Sequence, residues 1–218
     1  MARIAARQLT KDTFNETTID LKPRVNAALT DSLDIKREMN RNNLAELPMG
    51  IHIYGGVPFD VEGKIQLFGR GLTNANLRFP ARVRNIAIGR KCVSIYLFHG
   101  AATAGELHGP VTVARLVLHY ANGSQSEIAV NAGEHLLNWR GPIYATEAKG
   151  KVPNVTAPGS ELAWAGGNAW LRKKRPEDSL RFYRSAFENP HPELEIASVD
   201  YVSALTDAAP FLLGMTVE

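Results

Sequence analysis

The 218-residue chain contains a single cysteine, Cys92. One thiol forms no internal disulfide, and no Cys/Cys or Cys/His spacing suggests zinc, so packing alone must hold the core. Hydrophobic runs are strand-sized, well short of the roughly 18–20 apolar residues of a membrane-crossing helix. The opening residues, Met1-Ala-Arg-Ile-Ala-Ala-Arg7, lack the apolar centre of a secretory signal. They leave two expectations, a cytoplasmic protein or a domain of a longer exported polypeptide. There is no internal repeat, low-complexity tract or heptad pattern. No G-x-S-x-G elbow or H-E-x-x-H motif occurs, and none of the six histidines stand four apart, the spacing of a helical zinc site. Gly55-Gly56 and Gly166-Gly167 lack the following helix that a phosphate-binding loop requires.

The net charge of +3 hides an uneven distribution. Residues 1–45 and 46–139 each carry a net +2, residues 140–175 carry +5, and residues 176–218 carry −6. Affinity for nucleic acid needs clustered positive charge with little acidic charge nearby, so a uniform nucleic-acid-binding surface is not expected. The one basic run, Arg172-Lys-Lys-Arg175, reads as a solvated loop.

The chain does hold 18 glycines and 12 prolines, which divide it into many short apolar runs. Residues 1–16 read as a polar lead-in and residues 17–218 as one domain. Thr17–Leu21 is the first strand-like run. Lys22–Asn43 reads as a long connection over a sheet edge, with a turn of helix at Ser32–Asn40. Strands are expected at Gly50–Tyr54, Val57–Val61, Lys64–Phe68, Arg82–Ile88, Val93–His99, Val111–Tyr120, Gln125–Val130, Leu162–Trp164, Ser179–Phe187, Glu193–Val202 and Phe211–Val217. Asn122-Gly123 suggests a two-residue hairpin turn, which sets Val117 opposite Ile128 and Arg115 opposite Val130. On that register Val113, Val117, Ile128 and Val130 share one face, with Leu116, Leu118 and Tyr120 on the other. Such a strand would be covered on both sides and central in its layer. In the last strand Phe211, Leu213, Met215 and Val217 alternate toward the core. Eleven short strands with few short helices give an all-β fold, a jelly-roll β-sandwich.

Candidate chemistry is sparse. In an extended strand Lys91 points away from Cys92, so Cys92 reads as a buried structural thiol. His99 and His119 could approach one another across a sheet and bind a metal, although each reads more simply as a half-buried histidine bonded to backbone. Carboxylates are numerous, but no local motif singles out the pair a glycosidase needs. Glu188-Asn-Pro-His-Pro-Glu193 is stiff, and suits either a rigid inter-strand turn or a hard-cation site. Trp139–Arg175 is different in kind. It holds all three tryptophans and eight Gly or Pro residues. Sugar rings present flat C–H patches that pack on aromatic faces, while their hydroxyls are read by a few amide or charged groups. Trp139, Trp164, Trp170 and Tyr144, with Asn168, Arg140, Arg172 and Lys173 nearby in sequence, supply that chemistry.

Several runs together carry a resemblance: Gly55-Gly-Val-Pro-Phe-Asp-Val61, Ile88-Gly-Arg-Lys91, Leu97-Phe-His-Gly-Ala101, Val117-Leu-His-Tyr-Ala-Asn-Gly123, Ala163-Trp-Ala-Gly-Gly-Asn168, Glu188-Asn-Pro-His-Pro-Glu193 and Ala209-Pro-Phe-Leu212. They resemble a bacterial β-sandwich module found at the C-termini of large exported planctomycete and verrucomicrobial proteins. That module is similar to the galactose-binding-like jelly rolls that include many carbohydrate-binding modules. The resemblance spans about residues 17–218. It implies a non-catalytic module that binds a poly- or oligosaccharide through end loops, belongs to a larger exported multidomain chain, extracellular or periplasmic, and often holds a structural calcium. Relatives commonly carry a Trp before Glu-Asn-Pro, where this chain has Phe187. Two other classes stay open: a jelly-roll glycosidase or polysaccharide lyase using His191 or His99, and a protein-interaction module.

Overall fold

The computed structural model describes residues 17–32, 42–75, 79–102, 110–142 and 157–218. The expected lead-in, the turn of helix after Ser32 and Tyr144 lie outside these residues. Twelve strands and one short α-helix are seen among the described residues. They are β1 (Gly50–Tyr54), β2 (Val57–Val61), β3 (Ile65–Gln66), β4 (Arg82–Arg90), β5 (Ser94–Ala102), β6 (Val111–Tyr120), β7 (Gln125–Ala132), β8 (Arg140–Gly141), β9 (Ser160–Gly166), α1 (Ala169–Lys174), β10 (Ser179–Glu188), β11 (Ile196–Ser203) and β12 (Ala209–Val217).

Two antiparallel sheets face one another. One runs β3-β12-β5-β10-β8, with β9 also paired to β10, and the other runs β4-β11-β6-β7. Ile86 and Ile88 of β4, Leu116 and Leu118 of β6, and Val199 and Tyr201 of β11 meet Leu97 of β5, Tyr183 and Phe187 of β10, and Met215 of β12 between them. A second apolar cluster covers the opposite face of the larger sheet. There Tyr54, Phe59 and Val61 of the β1–β2 hairpin pack on Phe98, Phe182, Phe211 and Leu213. The hairpin closes through Gly55-Gly56, both at positive φ, the conformation a two-residue turn needs. The larger sheet is therefore covered on both faces, and all nine residues of β12 are buried. A bulge between Leu212 and Gly214 divides that strand's side chains between two clusters. Phe211 and Leu213 join the outer one, while Leu212, Met215 and Val217 join the inner one.

The β6–β7 hairpin differs from expectation by one residue. Leu116 lies opposite Ile128 and Val117 opposite Glu127. The reason is turn chemistry. Gly123 takes a positive φ of 88° but Asn122 does not, and the Asn122 side chain instead accepts from the Ser124 amide at 3.0 Å. The loop thus has three residues, and a one-residue change in register exchanges the two faces of a strand. Leu116, Leu118, Tyr120, Ile128 and Val130 all face the sandwich interior. β6 is central, between β11 and β7, but its other face carries Arg115 and His119 toward solvent rather than meeting a third layer. Thr17–Leu21 forms only a bridge from Thr18 to Thr216 instead of a strand.

Candidate functional site

The connection after β7 leads into β8 and then β9, both paired to β10 of the larger sheet, and α1 joins β9 to β10. Trp139 precedes β8 and is held at both backbone groups, its amide donating to Ala101 O and its carbonyl accepting from the Arg181 amide. Its indole is only 4% exposed, which leaves little ring for a ligand. The buried Arg181 guanidinium donates to the carbonyls of Asn138 and Pro142 and fixes β8 in place.

Trp164 sits on β9 opposite Phe182 of β10. The two rings stack at 5.1 Å with planes 6° apart. A Cβ on Gly166 would lie 2.3 Å from the Trp164 ring, so a glycine there lets the indole lie flat. Trp170, on α1, has the Arg140 guanidinium 5.4 Å from its ring centre. Both indoles are partly exposed, and both pack against the cluster that contains Trp139. The fold thus brings the three tryptophans together, one buried and two facing partly outward.

The polar candidates divide similarly. Asn168 caps α1 by accepting from the Leu171 amide at 2.8 Å and donates to Asn42 Oδ1 and Asn43 O at 3.0 and 2.9 Å. It is buried, and its groups are spent on the protein. Arg172 grips Glu46 through both guanidinium nitrogens, and the hydrogen bond from Arg172 holds the Glu46 carboxyl below the usual range. Lys173 is exposed at the helix end. Tyr144 lies outside the described residues. Sequence reasoning missed Phe182 and Glu46. The first could have been found by pairing the β9 and β10 runs across α1. Nothing local marks Glu46, which stands far from Arg172 along the chain.

A polar network includes the connection after β7. His135 accepts from the Asn131 amide through Nδ1 at 2.9 Å, and Asn131 donates to Glu134 at 2.8 Å. Ser185 donates to the His135 carbonyl at 2.7 Å, so His99 Nε2, 2.8 Å from Ser185 Oγ, supplies the proton of that contact. His99 is fully buried, and burial followed by the charge of His135 pushes its imidazole down to about 3. It is neutral and sealed from solvent, which corrects the half-buried reading. His99 and His119 also stand on strands of different sheets and have different partners.

Glu188–Glu193 is a turn organised by Asn189. Its side chain donates to Cys92 O and His191 O and accepts from Tyr120 Oη, which ties three connections at one end of the sandwich. His191 lies 3.4 Å from Glu193 and edge-on to Tyr120, whose hydroxyl is occupied by Asn189. Cys92 is buried, and burial pushes its thiol up, consistent with a structural role. Among the described residues, no three His, Cys, Asp or Glu side chains converge as a metal site would require. No helix of the described residues is long and apolar enough to cross a membrane.

Comparison with known protein families, with curated proteins and with solved structures finds no match for this chain.

Proposed function

We propose that this chain is a non-catalytic carbohydrate-binding module with a jelly-roll fold, and that Trp164 and Trp170 form its sugar-stacking surface. Strand order supports the fold reading. Setting aside the β1–β2 hairpin and the short β8 and β9, eight strands remain, β3 to β7 and β10 to β12. Their orders, 3-12-5-10 and 4-11-6-7, follow from folding one long antiparallel ribbon over itself, the winding of a jelly roll.

The observation that carries the binding reading is the Trp164–Phe182 stack. Its near-parallel rings hold one indole flat and partly open at the protein surface. A fixed aromatic plane loses little side-chain entropy when a sugar packs on it, and Arg140, 5.4 Å from the Trp170 ring centre, and Lys173, three residues after Trp170 on α1, are the groups to read hydroxyls. Trp139 and Asn168 support this surface from within. The resemblance to modules of exported proteins extends the proposal to setting, in which the domain would hold a larger extracellular or periplasmic polypeptide on a glycan. A glycan array with Trp164→Ala and Trp170→Ala, each accompanied by a melting curve, tests the assignment. Loss of binding with an unchanged melt supports it, and full binding by both variants removes it.

Met49 and Ile53, both more than half exposed beside or on β1, favour a second reading as a self-assembling module. Light scattering across a concentration series separates the two, since a monomer at every concentration would reject assembly.

A further inference from the structure

On the opposite side of the sandwich from the tryptophans, the outer face of the sheet β4-β11-β6-β7 meets solvent. Cross-strand partners share a face, so pairing shows what lies side by side there. Arg82, Val202, Arg115 and Ala129 form one row across the four strands. Asp200, Val117 and Glu127 form the next, and Ala87, Ser198, His119 and Gln125 the one after. Val202, Ala129, Val117, Ala87 and Ser198 form the floor, and the taller exposed or part-exposed groups are Arg82, Arg115, Glu127, His119 and Gln125.

Two features depart from an ordinary solvated face. The first is Asp200, a carboxylate buried to 4% exposure on a solvent-facing strand row. It accepts from the amide of Asn85 at 3.0 Å, where a β-bulge gives Asn85 a positive φ, and stands 3.3 Å from His119 Nε2. Asp200 thereby lies against the buried Nε2 of a histidine whose side chain is partly open on this face. The second is charge. Residues 63–105 contain seven basic and no acidic residues, and four of the basic ones, Arg82, Arg84, Arg90 and Lys91, fall on β4 or just after it. Arg82 and Arg84 are exposed and have no carboxylate partner among the described residues. Basic residues on an edge strand also deter edge-to-edge pairing. That accounts for β4 but not for Arg115, which projects from central β6 and whose contact with Glu127, at 3.8 Å between exposed groups, holds it only weakly.

We propose that this face binds an acidic polysaccharide, with Arg82 and Arg115 taking its carboxylate or sulfate groups and His119, Ser198 and Gln125 its hydroxyls. Arg82 and Arg115 flank Val202 on successive strands, so their Cα atoms stand roughly 10 Å apart, two strand spacings. A planar guanidinium pairs bidentately with carboxylate or sulfate oxygens, and open small-residue floor between the two leaves room for a chain to lie flat. Nucleic acid fits the face less well. None of these row positions carries Phe, Tyr or Trp for a base to stack on. The proposal does not rest on the aromatic surface, which lies on the other sheet.

Isothermal titration of the intact chain with dextran sulfate, polygalacturonate and neutral dextran at low and high salt tests it. Binding to one or both acidic polymers, weakened by salt, is expected, with none to dextran. Sulfate-only or carboxylate-only binding identifies which group the arginines take. Arg82→Ala/Arg115→Ala should weaken that binding at least tenfold with an unchanged melt, while Lys22→Ala/Arg70→Ala, which removes the same charge elsewhere, should leave it within twofold. Equal losses in the two double variants would reduce the effect to net charge and overturn the site. Absence of binding to either acidic polymer, or tighter binding to single-stranded poly(dT), would overturn the proposal itself.

Discussion

His99 lies wholly inside the sandwich, where burial and then the charge of His135 push its imidazole down to about 3. In the unfolded chain a histidine titrates at about 6.5. Between these values the unfolded chain binds a proton that the folded chain refuses. The stability this histidine protects is therefore complete above about pH 6.5 and falls away as the pH drops toward 3. At about 1.4 kcal/mol per pH unit, the loss is about 2 kcal/mol at pH 5 and about 5 kcal/mol by pH 3. A domain of ordinary stability, roughly 5–15 kcal/mol, would feel the first figure and could be unfolded by the second. Urea melts of the wild type and of His99→Asn, which does not titrate in this range, should be compared from pH 7.5 to 4.5. Carboxylates and the other histidines contribute equally to both, so the difference between the two isolates His99. It should shrink by about 2 kcal/mol between pH 7 and 5. If the two proteins lose stability in parallel, the buried-neutral account of His99 is wrong. Should His99→Asn not fold, an NMR titration of the wild-type ring gives the same answer, and a midpoint near 6 would refute it.

Lys64 is 1% exposed, and its ammonium donates to the carbonyls of Ala28 and Asp31. Burial pushes it down to about 8, so between about pH 8 and 10.4 the unfolded chain holds the extra proton and stability should rise with pH. The rise should reach about 3 kcal/mol in denaturant melts and vanish in Lys64→Met. Gly214 faces Phe59, where an added Cβ would stand 2.8 Å from the Phe59 Cβ. Gly214→Ala should cost about 1–3 kcal/mol by thermal melting, and a neutral result would mean the β1–β2 layer shifts freely over β12.

Much of the strand layout was legible because the chain places Gly, Pro and Asn between short β-branched and aromatic runs. β1, β2 and β6 begin and end where their patterns do. The errors have specific causes. Asn122-Gly123 looks like a two-residue turn, but the Asn122 side chain bonds to Ser124, and that choice between two loop lengths reverses the faces of β6. Alternation places Phe211 and Leu213 on one core face with Met215. It carries no sign of a bulge, and the one between Leu212 and Gly214 splits them. β8 is two residues held by Arg181, a long-range contact with no local signature. The tryptophans could be grouped by their nearness in sequence. Which of them is buried depends on Ala101 and Phe182, which come from elsewhere in the chain.

The central claim is that the Trp164 and Trp170 faces bind sugar, and the direct measurement is glycan binding by the intact domain with each indole removed in turn. The wild type should bind at least one neutral glycan on an array. In calorimetry with that glycan, Trp164→Ala should bind at least tenfold more weakly, a loss of about 1.4 kcal/mol, while retaining its melting cooperativity. Trp170→Ala should show a loss in the same direction. A folded wild type that binds no neutral glycan, or two folded variants that bind as tightly as the wild type, would contradict it.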